Sequence, residues 1–334
     1  MRPTAAPRGP HGAIDVLTAD IHAPGKIRMI EAPTPELNGD PGQVLLAPSL
    51  GCLCGSDIPF FNGDDPRFDP GPAHSLHEMI GTIVASTSDR YNEGDRILYK
   101  PDQQDGLCQR IVVPEEEAVP LLPGLADEQS VLSQPLGTVV CALRKLPNLL
   151  NVRAAVVGLG PIGQLFCSTL GSMGASRIIG VDPLAYRREA ALKMGATEVI
   201  DSAADPVDAV TGLMDGACDL VVEAVGHHEF ALNLAIELCR HKGSVLQFGI
   251  PPVHSGDIEF EQLYRKNITL YTSCFPDPLT DYPLAMRWIR DGDIDIDPLV
   301  THRFGLEDVQ PAFEHYRDRR DGALKVFIQF PADG

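Results

Sequence analysis

The chain has 334 residues, of which 44% are hydrophobic and 22% charged, so it has enough apolar content for a sizeable core and for two domains. Its formal net charge of −19 argues against electrostatic binding to nucleic acid or to an anionic membrane. Pro3 and Pro7 stand where a signal peptide needs an apolar run, and no later stretch is long and apolar enough to span a bilayer, so the sequence reads as a soluble, cytoplasmic protein.

In chain order, residues 1–12 read as disordered. Residues 13–135 are rich in Pro and Gly with short apolar runs at 44–47 and 80–84, the pattern of a mostly β unit. Two segments of this unit carry candidate chemistry, Cys54-Gly55-Ser56-Asp57 and His77-Glu78. A thiolate, an imidazole and a carboxylate are what a catalytic zinc uses while keeping one coordination position open. Each residue alone has a plain packing explanation, but the set at two separated turns does not. The loop 58–75 between them contributes Phe60, Phe61 and Phe68 with Asp64 and Asp65, which suit an apolar pocket with a polar rim, a polyol-binding surface or simple packing equally well. Of the eight cysteines, Cys141, Cys167, Cys218, Cys239 and Cys274 sit in apolar or helical contexts, and most read as buried hydrophobes rather than a disulfide framework.

Residues 138–275 alternate strand-like runs with helix-period segments, the pattern of a doubly wound parallel sheet. The strands are expected at 154–157, 178–181, 198–200, 220–224, 245–248 and 268–271. Helices are expected at 186–194, stopped by Gly195, and at 230–239, stopped near Gly243. Gly158-Leu159-Gly160-Pro161-Ile162-Gly163 lies between the first strand and a helix, where such a run is the phosphate turn of a dinucleotide-binding unit. Gly158 permits the tight turn, Gly160 the approach of a pyrophosphate and Gly163 the packing of helix on sheet. Asp182, nineteen positions beyond Gly163 at the end of the second strand, is placed to accept from a free ribose 2′-OH and to repel a 2′-phosphate, which favours NAD over NADP. Its alternative is a turn-forming Asp before Pro183. Val225 with Gly226, and Phe248-Gly249-Ile250, end two strands and would line the nicotinamide face. His227 and His228 read as opening a surface helix, and His74 as a loop residue. A helix at 306–318 and a strand at 324–330 cannot form a core alone and should return to the first unit.

The chain resembles the zinc-dependent alcohol, polyol and sugar dehydrogenases of the medium-chain dehydrogenase/reductase superfamily. The resemblance runs through 51–57, His77-Glu78-Met79-Ile80-Gly81, Glu93-Gly94-Asp95-Arg96, Gln134-Pro135-Leu136 and the glycine turn, in the family's order. It implies a Rossmann domain at 138–275 and a GroES-like catalytic domain formed by 1–137 and 276–334. By resemblance Cys54 and His77 ligate one catalytic zinc, Glu78 is an alternating ligand or a nearby supporting carboxylate, and Asp57 orients the ligands. Ser56 carries the proton away from the substrate, its alternative being a turn-capping serine.

Four departures from the family pattern stand out. Gln134 replaces the Glu that completes the metal shell in polyol dehydrogenases, and an amide is a weaker ligand. Leu76 replaces the glycine before His-Glu. Pro59 replaces a relay histidine. The four closely spaced cysteines of a structural zinc lobe are missing, with Cys108 standing alone, so no structural zinc is expected. The resemblance implies an NAD- and zinc-dependent enzyme transferring hydride between a secondary alcohol, of the polyol or sugar type, and NAD(H), assembled as a homodimer or homotetramer. A metal-free reductase of an enone or quinone, and a nucleotide-binding partner protein without catalysis, are the alternatives.

Overall fold

The computed structural model describes residues 15–64, 71–101 and 104–332. The disorder expected for 1–12, and Asp65 and Phe68 of the candidate pocket, lie outside the described residues.

The first unit is a β lobe. A hairpin of β1 (Asp15–Ala23) and β2 (Lys26–Pro33) turns at Gly25, whose φ of +68° suits glycine. Then come β3 (Gln43–Cys52), α1 (Asp57–Asn62), β4 (Glu78–Ser86), β5 (Arg96–Tyr99), β6 (Ile111–Pro114) and β7 (Ala118–Pro120). Along β3 the alternating residues Val44 and Leu46 are buried in the core of this lobe, and past a register shift between Pro48 and Leu50 the strand turns Leu50 and Cys52 into the core under helix α2 (Asp127–Leu143). This helix leaves the lobe with most of its residues buried, packed on β3 and β4 as well as on the second unit.

The second unit is a six-stranded, wholly parallel sheet. It comprises β8 (Arg153–Val157), α3 (Pro161–Ser172), β9 (Arg177–Val181), α4 (Ala185–Lys193), β10 (Glu198–Ile200), α5 (Pro206–Met214), β11 (Cys218–Glu223), α6 (Glu229–Leu238), β12 (Cys239–Gln247), α7 (Phe260–Arg265) and β13 (Thr269–Thr272). The strand order β10-β9-β8-β11-β12-β13 reverses direction at β8, so a crevice opens beyond its carboxyl end, where Gly158 lies. Ala154 through Val157 are buried throughout, as expected of a strand covered by helices on both faces.

The chain then returns through α8 (Pro278–Arg290), β14 (Val300–Gly305), α9 (Val309–Arg317) and β15 (Lys325–Gln329). Strand β15 pairs antiparallel with β3, setting Phe327 opposite Cys52, so the tail extends the first sheet. Helix α9 covers that lobe, with Phe313 against Phe61 at 5.1 Å between ring centres.

Two expectations need correction. The helix expected to run to 239 ends at Leu238, and Gly243 lies inside β12 at a register shift rather than past a helix end. A Cβ there would fall 2.5 Å from Cys239 Sγ, which is why glycine occupies it. The tail helix begins as a 3-10 turn over Leu306–Asp308, with α9 following. As expected for most of the eight cysteines, Cys52, Cys108, Cys167, Cys218 and Cys239 are buried; Cys54 and Cys141 are half-buried, Cys274 is exposed, and all eight are free thiols.

Candidate active site

The end of β3 and the start of β4 bring the two chemical segments together. One ligand atom each from Cys54, His77 and Glu78 lies within 4.8 Å of the others. With metal bonds near 2.0–2.3 Å, ligand atoms about a tetrahedral zinc are roughly 3–4 Å apart, so small rotations bring the three into a coordination shell. The donor chemistry fits as well, since thiolate and imidazole favour zinc over hard cations.

Asp57 holds both segments in place. Fully buried at the start of α1, it accepts from Cys54 N at 2.7 Å, Ser75 Oγ at 2.7 Å and Leu76 N at 3.0 Å, and its Oδ1 is 3.6 Å from His77 Nδ1. Burial pushes its pKa upward, but His77, the Cys54 amide and the Ser75 hydroxyl outweigh burial and keep it below the ordinary value. The Asp57 carboxylate beside Nδ1 leaves Nε2 of His77 for a metal. Leu76 supplies the bend between Ser75 and His77 with φ of +73°, a conformation that glycine adopts freely and that costs a branched side chain of order 1–3 kcal/mol. Its fully buried side chain fills the space over Gly51, where a Cβ would come within 2.5 Å of Leu76 Cδ2, so packing holds the strained backbone.

Sequence reasoning missed Lys325. Its Nζ donates to Glu78 Oε2 at 2.5 Å and to Leu53 O at 3.2 Å, with both charged side chains almost wholly buried. Burial opposes its charge, but Cys52, Glu78 and Cys54 outweigh burial and hold the ammonium well above its ordinary pKa. The signal in the sequence was a single lysine opening an apolar strand. Ser56 is half-buried at the N-cap of α1, yet its side chain caps nothing, so the capping alternative falls away. Gln134 is buried in α2 and donates Nε2 to Tyr282 Oη at 3.3 Å. Phe60 and Phe61 are buried, Phe61 against Phe313, while Asp64 is exposed. His74 is in the loop against Phe60, ring centres 4.7 Å apart.

At the crevice of the parallel sheet the glycines act in three different ways. Gly158 has φ of +90°, and a Cβ would strike Val225 at 2.6 Å. A Cβ on Gly163 would lie 1.9 Å from Gly158 O, so α3 approaches the turn as closely as glycine allows. Gly160 differs: a Cβ would meet nothing nearer than Arg187 Nη1 at 4.0 Å, and the space it would fill is open. Gly160 is the N-cap of α3 and Pro161 and Ile162 follow; no side chain caps this helix end, so its N–H groups face outward as an anion cradle. That cradle fits a pyrophosphate. Asp182 is buried and accepts from Leu159 N at 2.9 Å and Leu184 N at 2.8 Å, with Arg187 Nη1 at 3.5 Å. It therefore braces the glycine turn while keeping lone pairs for a ribose.

The strand ends carrying Val225, Phe248, Gly249 and Ile250 meet through Glu223, a second residue the sequence reading missed. Buried at the end of β11, Glu223 accepts from Val225 N at 2.7 Å and Gly226 N at 2.9 Å and also bonds the Gln247 amide. Its own carbonyl accepts from Phe248 N and Gly249 N, each at 3.0 Å. An acid closing the apolar run Leu220–Val222 of a doubly covered strand was the available signal. Val225 and Ile250 remain 39% and 54% exposed, as an unfilled binding face requires. His227 and His228 are exposed where α6 begins.

Residues 40–138 match the family described as alcohol dehydrogenase GroES-like domain, and residues 161–291 match that described as zinc-binding dehydrogenase, more than half of the chain between them. The chain belongs to the zinc-type medium-chain alcohol dehydrogenases. The L-threonine 3-dehydrogenase of Pectobacterium carotovorum is 24% identical over 333 residues, covering 89% of this chain and 94% of that protein. The L-idonate 5-dehydrogenase of Escherichia coli K-12 superposes with a TM-score of 0.84 at 22% identity, over 96% of this chain and 99% of the other. An alcohol dehydrogenase of Escherichia coli CFT073, solved with NADH, gives 0.84 at 20% identity, over 95% and 99%. As a zinc-binding dehydrogenase the protein is an oxidoreductase of alcohols. Among the described residues no helix is long and apolar enough to cross a membrane.

Proposed function

We propose that the protein oxidises a secondary alcohol of the polyol or sugar type with NAD, using one zinc held by Cys54 and His77 with Glu78 and Gln134 completing the shell. The observation that carries this reading is the convergence of ligand atoms of Cys54, His77 and Glu78 to within 4.8 Å of one another. When bound, zinc supplies Lewis acidity at the substrate oxygen and the nicotinamide supplies the hydride acceptor. The chain's residues do the rest. Asp57 fixes the tautomer of His77, and the uncapped hydroxyl of Ser56 takes the substrate's hydroxyl proton and passes it to solvent. Glu223 sets the backbone on which the nicotinamide face lies.

NAD is favoured over NADP because the buried carboxyl group of Asp182 stands at the expected ribose position, where it accepts from a free 2′-OH and leaves no room for a 2′-phosphate. The names of the relatives, L-threonine 3-dehydrogenase and L-idonate 5-dehydrogenase, support a hydroxyl on a polar, multifunctional carbon chain. One zinc per chain is expected, since Cys108 stands alone in its loop with its thiol pushed up to about 12 by burial. The domains are assigned as 1–137 with 276–334 for catalysis and 138–275 for NAD, in a cytoplasmic enzyme. A homodimer or homotetramer is supported by β13, an edge strand with Leu270 39% exposed, beside Phe275 at 81% and Leu279 at 51%. Replacing the thiolate tests the reading: Cys54→Ser should abolish NAD-linked alcohol oxidation, and unchanged turnover would refute it.

A further inference from the structure

Three of the four residues before His77 have positive φ and none of them is glycine: Ala73 at +67°, Ser75 at +85° and Leu76 at +73°. Side chains disfavour this region, so a run of such residues persists only where its surroundings hold it. Asp57 holds one side, accepting from Ser75 Oγ and Leu76 N. Residues 105–107 hold the other. Gly106 shares its N–H between Ser75 O at 3.1 Å and Leu76 O at 3.2 Å, Leu107 N donates to Ala73 O at 3.0 Å, and Ser75 forms a parallel bridge with Asp105. This clasp is anchored on β1, where Ala19 N donates to Leu107 O at 2.8 Å and Gln109 N donates to Leu17 O at 3.1 Å.

The close fit needs glycine. A Cβ on Gly106 would lie 2.5 Å from Leu76 O, a backbone atom that cannot swing aside, so only glycine brings its N–H to both carbonyls. The Leu76 side chain is fixed separately, by its packing over Gly51. Carbonyl and side chain of Leu76 are thus both held, and the next residue is His77. The clasp consists of backbone hydrogen bonds and apolar packing, interactions that need no metal.

We propose that Gly106 is a positioning residue for the metal site: it holds Ser75 and Leu76 in the left-handed conformation and so presets His77 as a ligand before the metal arrives. The proposal rests on the zinc site described above. It also gives a task to the segment around Cys108, where the cysteines of a structural zinc lobe are missing.

The first test is hydrogen–deuterium exchange on chelator-stripped wild-type protein, read on peptides covering 72–79 and 104–109. Both segments should exchange as slowly without zinc as with it, whereas protection that appears only on adding zinc would show that the metal orders the loop and would overturn the proposal. The second test is a double-mutant cycle of Gly106→Ala and Leu76→Gly, read as zinc affinity in competition with a chromophoric chelator. Gly106→Ala alone should weaken zinc binding about 10- to 100-fold, the usual effect of losing a residue that orients a ligand. In the Leu76→Gly background, where glycine adopts the positive φ unaided, the same substitution should cost much less. An equal loss in both backgrounds would make Gly106 a mere packing position and overturn the proposal, as would no loss in either. Should Gly106→Ala fail to fold, the exchange measurement on the wild type still decides. Wild-type protein that takes up no zinc would refute the metal site itself, and the exchange measurement, which needs no metal, keeps that outcome separate.

Discussion

Lys325 Nζ lies 2.5 Å from Glu78 Oε2, and neither side chain reaches solvent. The two come from β15 and β4, so the strand that returns the tail to the first sheet also delivers the cation that neutralises a candidate ligand. Breaking a buried pair by removing one partner leaves an uncompensated charge and costs about 3–5 kcal/mol. Lys325→Met should therefore destabilise the metal-free protein by about that amount in urea unfolding, and by less once zinc is present to take over the Glu78 charge. An equal loss with and without zinc would show that Glu78 does not face the metal.

The glycine turn separates folding from binding. Gly160→Ala should leave the unfolding temperature unchanged, because the new Cβ meets nothing nearer than Arg187 Nη1 at 4.0 Å, yet abolish tight NAD binding by calorimetry or fluorescence. Gly163→Ala should instead destabilise the fold, since its Cβ would overlap Gly158 O. Loss of NAD binding only in the second variant would contradict the assignment of the cradle.

Asp182 braces Leu159 and Leu184, and in the proposed function it also discriminates between the cofactors. Asp182→Ala should raise KM for NAD about 10- to 100-fold, matching the roughly 1.5–3 kcal/mol of hydrogen bonds to a charged group, and should raise KM for NADP much less. Equal losses for the two cofactors would mean that it only braces the turn.

Ser56→Ala should lower kcat about 100-fold or more with little change in unfolding temperature, because the hydroxyl caps no helix N–H. Steady-state kinetics beside a thermal melt would detect the contrast, and a kcat close to wild type would remove Ser56 from the proton path.

The edge strand β13 predicts self-association. Leu270→Glu should shift the mass measured by light scattering toward the monomer, since a charge on an exposed strand edge opposes strand pairing. An unchanged mass would place the subunit interface elsewhere.

The parts legible in the sequence are those encoded by neighbouring residues. Strand, turn and helix around Gly158 occupy one continuous stretch, and the buried parallel strands announce themselves as apolar runs. Cys54 and His77 were legible because few packing roles require that residue set. Long-range partners were not. Lys325 meets Glu78 across 247 positions and Tyr282 meets Gln134 across 148, and neither pairing leaves a local pattern. Gly243 misled because a glycine after an apolar helical run stops helices far more often than it opens a strand bulge. Leu76 could be recognised as unusual, but only the backbone shows that it adopts the left-handed conformation itself, held by Asp57 and by its own packing over Gly51.

The central claim is that Cys54, His77 and their neighbours hold a single zinc. The most direct test is metal content per chain by mass spectrometry on purified, chelator-washed protein, compared with Cys54→Ser. The account predicts one zinc in the wild type and none in the variant; no zinc in the wild type, or zinc retained without Cys54, would contradict it.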